Sequence, residues 1–305
     1  MNKKIVLIDG GMGQELMRRS ESSPHPLWSA KVLLDEPDLV EDVHIDFIRS
    51  GAKVITINTY SATPERLERD GDVSLFEKLQ KRAISVAQKA REKTRMTDVR
   101  IAGCLPPLYG SYHPEVAPEF EECVDRYQRL VRQQINEVDL FLCETMSSIK
   151  EAKAAITAAT SYNKIETWCA LSLEDSENSR LRSGEKLTSA VTALKEFDHE
   201  ALLLNCSIPE AISSSIDKIK NSGKFSGAYA NGFTSIKALN LGGTVDKLTS
   251  RRDLDPEKYT SFALDWVSKG AKIVGGCCEI SPSHIAHLNA ALGVLGYSVI
   301  GKLRN

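Results

Sequence analysis

The sequence carries no excess of charge of either sign and no long apolar run. Its 305 residues include 39 lysines and arginines and 41 aspartates and glutamates, which gives a formal net charge of −2. A dedicated nucleic-acid-binding protein would need a basic stripe, so this balance argues against one. No apolar stretch approaches the length that spans a bilayer, and the run at residues 5–8 is too short for the core of a signal peptide. We therefore expect a cytoplasmic protein with neither a nucleic-acid partner nor a membrane partner.

Histidine is scarce, and cysteine occurs in an odd number. The six histidines form no H-x-H or H-E-x-x-H pattern, which argues against a zinc hydrolase with histidine ligands. The seven cysteines, in a reducing compartment, are expected to be thiols or metal ligands and not a disulfide framework.

Eight short apolar runs recur along the chain, separated by helical patterns. Near-continuous apolar content in such short runs is typical of strands in a parallel sheet that is covered on both faces. The runs are residues 4–8, 53–58, 99–104, 139–143, 166–171, 201–205, 225–230 and 272–276.

Amphipathic stretches with helix signals lie between these runs. Residues 147–161 and 185–197 have a helical pattern, and a proline typical of the first helical turn opens three further stretches. Those prolines are Pro209, Pro256 and Pro282. Repeated alternation of strand and helix predicts an α/β fold, a single-domain (β/α)8 TIM barrel over residues 1–305. The alternative is a doubly wound open sheet, but no G-x-G-x-x-G motif follows the first strand.

Polar residues follow most of the predicted strands. In a barrel the carboxyl ends of the strands converge on one mouth, where barrel enzymes keep their chemistry. Long loops predicted at residues 24–26, 105–118 and 230–255 would lie at the same rim. Burying so many polar groups costs stability unless they serve a ligand or one another. These groups include Asp9, Asn58, Glu144, Asn205, Cys277 and Cys278.

An adjacent cysteine pair, Cys277 and Cys278, follows Gly275 and Gly276 at the end of the eighth predicted strand. Neighbours in a regular strand point to opposite faces, so both thiols can reach one ion only where the chain leaves strand geometry, which glycines permit. Cys206 follows the sixth strand and is expected at the same rim. Three thiolates suit Zn²⁺, and a fourth, open position would mark a catalytic site. The alternative interpretation is that the pair are small buried hydrophobic residues.

A zinc ion held by three thiolates is electron-rich and activates water poorly. It is suited to holding a further thiol, because a free thiol with a pKa of about 8.5 is mostly protonated at neutral pH and loses its proton on binding zinc. The result would be a nucleophile for alkyl transfer. Two other classes stay open: a zinc hydrolase on the same barrel, and a thiol or zinc sensor without catalysis.

At these residues the chain resembles the homocysteine S-methyltransferases, a zinc-dependent (β/α)8 family. The resemblance covers nearly the whole sequence, and the combination of NC-x-x-P with GGCC is its most specific part. The matching segments are DGGMGQEL (9–16), LWSAKVLLDEPDLV (27–40), NTYSAT (58–63), GCLPP (103–107), ETMSSIKEA (144–152), NCSIP (205–209) and GGCCEISPSHI (275–285).

The resemblance implies roles for individual residues. The implied ligands of Zn²⁺ are Cys206, Cys277 and Cys278. Asp9, with the backbone of Gly10, and Glu144 would hold the amino group of homocysteine. Thr56 would lie at the amino acid, and Tyr60 would be a zinc partner when the substrate is absent.

Trp28 lies in LWSA, which resembles the branch of the family that uses sulfonium donors. A tryptophan face attracts a cationic methyl donor, although Trp28 could instead be a loop anchor packed on the barrel. Two residues depart from the family pattern. Glu279 follows the cysteine pair where many relatives have a small residue, and Gln14 stands where threonine is common.

The sequence therefore predicts a homocysteine S-methyltransferase. It would transfer a methyl group from S-methylmethionine or S-adenosylmethionine to L-homocysteine and give methionine, with zinc holding the acceptor sulfur as a thiolate.

Overall fold

Nine parallel strands form one sheet in the computed structural model, which describes residues 3–22, 25–162, 165–243 and 245–303. Each of the eight predicted apolar runs overlaps one of the first eight strands. The ninth strand follows the last helix, and the sequence patterns do not indicate it. The strands are β1 (Lys3–Leu7), β2 (Val54–Thr56), β3 (Arg100–Leu105), β4 (Leu140–Met146), β5 (Thr167–Leu171), β6 (Ala201–Asn205), β7 (Phe225–Tyr229), β8 (Ile273–Val274) and β9 (Tyr297–Ile300).

The strands follow chain order around the sheet from β2 to β8, and β1 then pairs with β8. β1 pairs with β9 along its first residues, and beyond its carboxyl end Ile8 forms a parallel bridge with Val54. The Lys53 N–H donates to the Leu7 carbonyl at 2.8 Å, and the Asp9 N–H donates to the Val54 carbonyl at 3.0 Å. The sheet thus curls until the start of β2 meets the end of β1. A doubly wound sheet would reverse its strand order at a switch point, and no reversal occurs here.

Helices lie between the successive strands and begin where the sequence signals predict. Helices start at Pro209, Pro256 and Pro282, and the predicted helices at 147–161 and 185–197 are present in slightly shorter form. The helices are α1 (Met12–Arg19), α2 (Ser29–Asp35), α3 (Pro37–Arg49), α4 (Pro64–Asp70), α5 (Phe76–Thr94), α6 (Phe120–Gln134), α7 (Ile149–Thr160), α8 (Leu187–Leu194), α9 (Pro209–Ser213), α10 (Ile216–Ile219), α11 (Pro256–Ser268) and α12 (Pro282–Val294).

Side chains at two helix starts show why these boundaries fall where they do. The Asp255 carboxylate accepts from the Lys258 N–H at 2.8 Å, next to the proline that opens α11. The Ser148 hydroxyl accepts from the Glu151 N–H at 3.2 Å and caps α7. Each cap satisfies one of the backbone donors that a helix start leaves without a partner.

The strands bury side chains on both faces. In β1, Ile5 and Leu7 belong to the large apolar cluster that includes the helices, whereas Val6 belongs to a second cluster with Ile8 just beyond the strand. That second cluster draws residues from every strand between β1 and β8, including the fully buried Trp168. Because this interior is packed with apolar side chains, a polar ligand site is expected only at a rim of the sheet.

Long segments cover the carboxyl rim. In the segment 230–255, Phe233 and Ser250 form an antiparallel bridge, and a short 3-10 helix covers Val245–Lys247. In the segment 105–118, a 3-10 helix covers Pro114–Val116. The predicted loop at 24–26 lies partly outside the described residues. None of the helices in the described segments is both long enough and apolar enough to cross a membrane.

Candidate active site

A cavity of about 110 Å³ lies at the carboxyl end of the sheet. All nine residues to which the sequence assigns a binding role line it. They are Asp9, Gly10, Trp28, Thr56, Tyr60, Glu144, Cys206, Cys277 and Cys278. Residues from distant parts of the chain therefore meet in one place, as the barrel argument predicts.

The three cysteines form a compact cluster in this cavity. Their sulfur atoms all lie within 4.8 Å of one another, and all three thiols are free. The Cys206 Sγ is 2.6 Å from the Cys277 Sγ and 3.9 Å from the Cys278 Sγ. This cluster is a group that could hold a metal ion.

A turn after β8 lets Cys277 and Cys278 face the same point. The Ile280 N–H donates to the Cys277 carbonyl at 3.1 Å, and Glu279 within the turn has a φ of +68°. Cys206, just after β6, also adopts a positive φ of +47°. Such backbone conformations cost about 1–3 kcal/mol in non-glycine residues and concentrate at functional sites.

The glycines before the pair are required for close packing. A Cβ atom on Gly275 would lie 2.2 Å from Ile8 Cγ1, and one on Gly276 would lie 2.3 Å from Ile280 Cγ2. Neither glycine has a positive φ. The sequence predicts that these glycines provide backbone freedom. The structure shows instead that they are needed because a side chain at either position would collide with its neighbours.

The motif Asp9-Gly10-Gly11 packs directly on this turn. A Cβ on Gly10 would lie 2.2 Å from the Ile280 carbonyl oxygen, and one on Gly11 would lie 2.7 Å from the Cys277 carbonyl oxygen. The Gly11 N–H donates to the Ile280 carbonyl at 2.8 Å. The two glycines therefore bring the end of β1, with its carboxylate, against the turn that carries two thiols.

Hydrogen bonds within the cluster shift the pKa values of the three thiols in opposite directions. Donation from Cys277, then from Cys278, lowers the pKa of Cys206 well below its ordinary value. Hydrogen bonding to Cys206 raises the pKa of Cys277 and of Cys278 well above the ordinary value. Cys206 is therefore the thiol of the cluster that loses its proton most readily. A bound cation would favour three thiolates together.

Two carboxyl groups face the same cavity. Asp9 Oδ2 accepts from the Thr56 N–H at 2.7 Å, and Glu144 Oε1 accepts from the Cys104 thiol at 3.0 Å. Burial, with a smaller contribution from the neighbouring Glu144, raises the pKa of Asp9 to about 8. Burial likewise raises the pKa of Glu144 to about 7. A cationic group between these carboxylates would restore their charged forms.

Asn205 holds the strand end that carries Glu144. Its Oδ1 accepts from the Thr145 N–H at 3.1 Å, and its Nδ2 donates to Thr145 Oγ1 at 3.0 Å. Thr145 is buried and has a φ of +60°. The asparagine next to Cys206 therefore couples the thiol side of the cavity to the carboxylate side.

Two tyrosines that line the cavity have different hydroxyl partners. The Tyr60 hydroxyl hydrogen-bonds the Ser111 hydroxyl at 2.8 Å. It is the Tyr112 hydroxyl that lies beside the cluster, 3.0 Å from Cys206 Sγ. The Arg182 guanidinium lies 5.0 Å from the centroid of the Tyr112 ring, and its Nη2 donates to the Cys206 carbonyl at 3.3 Å.

Trp28 both anchors a loop and lines the cavity. A Cβ atom on Gly13 would lie 2.6 Å from the Trp28 ring, so the indole packs against the start of α1. Trp28 has a φ of +46°, and no described residue accepts a hydrogen bond from its buried Nε1. The two roles considered for Trp28 are therefore compatible.

The two departures from the family pattern have different surroundings. Gln14 lines the cavity, and within the described part of the chain neither polar atom of its buried amide has a hydrogen-bond partner. Glu279 instead pairs with Arg18 Nη1 at 3.2 Å, and Arg18 also pairs with Glu15. The Glu279 carboxylate is thus directed to an arginine, and Gln14 has free hydrogen-bonding capacity at the cavity.

The sequence does not single out Arg182, and it indicates Tyr112 only as a residue of the loop 105–118 that lines the donor side of the site. Arg182 lies between β5 and α8 in an aperiodic segment, and Asp175 of the same segment pairs with it at 2.8 Å. Arginine and aspartate in a loop normally indicate a solvated surface. No local signal identifies this pair as buried.

The chain is similar in sequence to known methyltransferases. The sequence model of the family described as homocysteine S-methyltransferase matches residues 6–292. Homocysteine S-methyltransferase of Escherichia coli (strain K12) is 28% identical over 307 residues, which covers 94% of each chain. Homocysteine S-methyltransferase YbgG of Bacillus subtilis (strain 168) is 27% identical, also over 94% of each chain.

The fold is also similar to that of a solved structure, over nearly the whole length of both chains. The crystal structure of the homocysteine methyltransferase MmuM from Escherichia coli, in its metallated form, superimposes with a TM-score of 0.78. It is 26% identical and covers 95% of this chain and 96% of its own.

Proposed function

The chain belongs to the homocysteine S-methyltransferase family, and we propose that it transfers a methyl group from S-methylmethionine or S-adenosylmethionine to L-homocysteine, giving methionine. One observation carries the proposal: three thiols within 4.8 Å of one another lie in the same cavity as Asp9 and Glu144. The thiols suit a metal that binds the acceptor sulfur, and the carboxylates suit the acceptor ammonium.

We infer that the metal is zinc and that Cys206, Cys277 and Cys278 hold it. Sulfurs bound tetrahedrally at about 2.3 Å from zinc are about 3.8 Å apart. The Cys206–Cys278 separation of 3.9 Å fits this, and the 2.6 Å separation of Cys206 from Cys277 would need to widen by about 1.2 Å. Bound there, zinc would supply a position in which the acceptor thiol loses its proton.

Asp9 and Glu144 would orient the acceptor through its amino group. The Thr56 N–H fixes one carboxylate and the Cys104 thiol fixes the other, so both retain an oxygen for an ammonium. Thr56 also lines the cavity, where it would contact the amino acid. Tyr60 is placed by its bond to Ser111 at the wall of the cavity, and we assign it to substrate contact and not to the metal.

The transfer itself needs alignment more than proton transfer. A bond forms between the acceptor sulfur and the donor methyl carbon, while the electron pair of the broken bond stays on the donor sulfur, which leaves as a neutral sulfide. Alignment of two reactants can contribute about 7–11 kcal/mol. The Trp28 indole is available to attract the positive sulfonium.

We further propose that residues 1–305 form one (β/α)8 domain in which β1 to β8 close the barrel and β9 is an addition beside β1. The interior cluster drawn from all eight strands supports this proposal, as do the hydrogen bonds between β1 and β2. Seven free cysteines support a reducing compartment, which we take to be the cytoplasm.

The test is methionine formation by the purified, zinc-loaded protein. Homocysteine would be supplied with S-methylmethionine and, separately, with S-adenosylmethionine. We expect methionine with at least one donor and none without homocysteine. Absence of product with both donors would contradict the proposal. Hydrolysis of a substrate without homocysteine would instead indicate a zinc hydrolase.

A further inference from the structure

A second, smaller cavity adjoins the first on the side away from β8. Its volume is about 40 Å³, and about 10–15 Å³ is enough for one water molecule. It shares Trp28, Ser111, Leu239 and Val245 with the main cavity. A ligand group about the size of a carboxylate fits here, while the rest of the ligand extends past Ser111 into the main cavity.

Arg66, in the first turn of α4, contributes a buried cation to this second cavity. Arg66 is 8% exposed. Its Nη2 donates to the Pro107 carbonyl at 2.9 Å and to Ser111 Oγ at 3.5 Å. Among the described residues, neither its buried Nε nor its Nη1 has a hydrogen-bond partner. Two edges of the planar guanidinium therefore have N–H groups that are not used in hydrogen bonds.

No carboxylate of the described residues forms a salt bridge with Arg66, and the more distant Glu151 only partly offsets the lowering of its pKa. Among the described residues, no aspartate or glutamate oxygen lies within 4.0 Å of its nitrogens. Arg182 provides the contrast, because its side chain, which is 7% exposed, pairs with Asp175 at 2.8 Å. Burial lowers the pKa of Arg66, which reflects the cost of holding an unpaired charge away from water. A bound anion would offset that cost.

The same arginine is connected to the wall of the main cavity. Its guanidinium lies 5.1 Å from the centroid of the Tyr60 ring, and Ser111 hydrogen-bonds both Tyr60 and Arg66. Arg69, the other arginine of this cavity, is already paired with Asp70 and bound to the Tyr109 carbonyl. Arg66 is therefore the cation of this cavity with free donors.

We propose that Arg66 binds the α-carboxylate of the methyl donor and selects sulfonium donors that carry one. This inference rests on the proposed function and adds a specificity-determining residue to it. Arginine is suited to carboxylates because its guanidinium keeps its charge and presents its donors in a rigid plane, and here Nη1 and Nε still have unused N–H groups. Both donors named above carry an α-carboxylate, so the proposal concerns the amino-acid end of either.

The test compares S-methylmethionine with its carboxamide analogue, which has nearly the same size and no negative charge. For the wild-type enzyme we expect kcat/KM to be about 10- to 100-fold lower with the carboxamide. In Arg66→Met this preference should disappear, mainly through a higher KM for S-methylmethionine. Arg66→Lys should retain part of it. The KM for homocysteine should change little in either variant.

Arg100→Met is the matched control, since Arg100 pairs with Glu166 at the amino end of the sheet, far from the cavity. It should keep the wild-type preference. An Arg66→Met enzyme that still prefers the carboxylate would overturn the inference, as would a wild-type enzyme without any preference. The wild-type comparison and Arg66→Lys decide the matter if Arg66→Met does not fold. Loss of all methyl transfer in the wild type would count against the proposed function instead.

Discussion

Backbone strain in this protein is concentrated around the cavity. Seven non-glycine residues in the described segments have a positive φ, and five of them line the cavity or adjoin a residue that does. These five are Trp28, Tyr112, Thr145, Cys206 and Glu279. Such residues keep their conformation only where the surrounding contacts fix it. At Thr145 the two bonds from Asn205 do so, which holds Glu144 in place.

At the residue scale, Glu144→Gln tests the ammonium site. The amide keeps the shape of the carboxyl group and removes its charge, so we expect the KM for homocysteine to rise about 10- to 100-fold with zinc content unchanged. Steady-state kinetics with both substrates would measure this. The matched control is Glu151→Gln, because Glu151 is also buried, with its pKa raised to about 7, but lies outside the cavity lining. Equal effects of both substitutions on this KM would contradict the assignment.

Site residues differ in how far the sequence could identify them. The cysteines, Asp9 and Glu144 follow strands, and a barrel brings strand ends together, so their convergence could be predicted. Tyr112, Arg182 and Arg66 could not be found in this way. They lie in or just after long aperiodic segments whose conformation depends on contacts between segments.

At the scale of elements, the turn after β8 and the end of β1 form one packed unit. Glycines at four positions allow their backbones to approach: Gly10, Gly11, Gly275 and Gly276. Larger side chains would separate the two thiols of the turn from the carboxylate of Asp9. The sequence identified DGG and GGCC as motifs, but the physical reason for the glycines needed the structure.

Gly10→Ala tests this packing against a second glycine substitution. Its new Cβ would lie 2.2 Å from the Ile280 carbonyl oxygen, so we expect the free energy of unfolding to fall by about 1–3 kcal/mol and zinc to bind more weakly. Gly293→Ala, within α12, meets nothing within 4 Å and should raise that free energy by about 0.5–1 kcal/mol. Urea unfolding would measure both. A stable Gly10→Ala protein with full zinc affinity would show that the close approach is unnecessary.

Helix α3 contains a buried histidine, and from it we predict that acid lowers the free energy of unfolding. His44 is fully buried, neither ring nitrogen has a hydrogen-bond partner among the described residues, and burial lowers its pKa to about 3. In the unfolded chain His44 binds a proton at its ordinary pKa of about 6.5. Between about pH 6.5 and pH 3 the unfolded chain therefore binds more protons than the folded chain does. The free energy of unfolding must therefore fall as the pH falls from 6.5 towards 3.

From pH 7 to pH 4.5 we expect His44 to account for a loss of about 3 kcal/mol. His44→Leu should remove this part of the pH dependence. Urea unfolding of both zinc-free proteins at the two pH values would measure it, since zinc release would otherwise add its own dependence. Identical losses in the two proteins would show that His44 does not titrate in this way.

At the scale of the whole molecule, the packed interior of the sheet confines the chemistry to the carboxyl rim. Trp168 and its neighbours fill the centre, and the polar residues lie above them. Periodicity and helix signals were sufficient to predict this parallel arrangement. They did not predict β9, because its four half-buried residues acquire a partner only when the chain returns to the first residues of β1.

The most direct test of the account is the zinc content of three purified proteins: the wild type, Cys206→Ser and Cys123→Ala. Cys123 is a buried thiol of α6 outside the cluster and serves as the control. We predict about one zinc per chain in the wild type and in Cys123→Ala, and much less in Cys206→Ser. Equal zinc in the wild type and Cys206→Ser would contradict the assignment of the three thiols to one metal site.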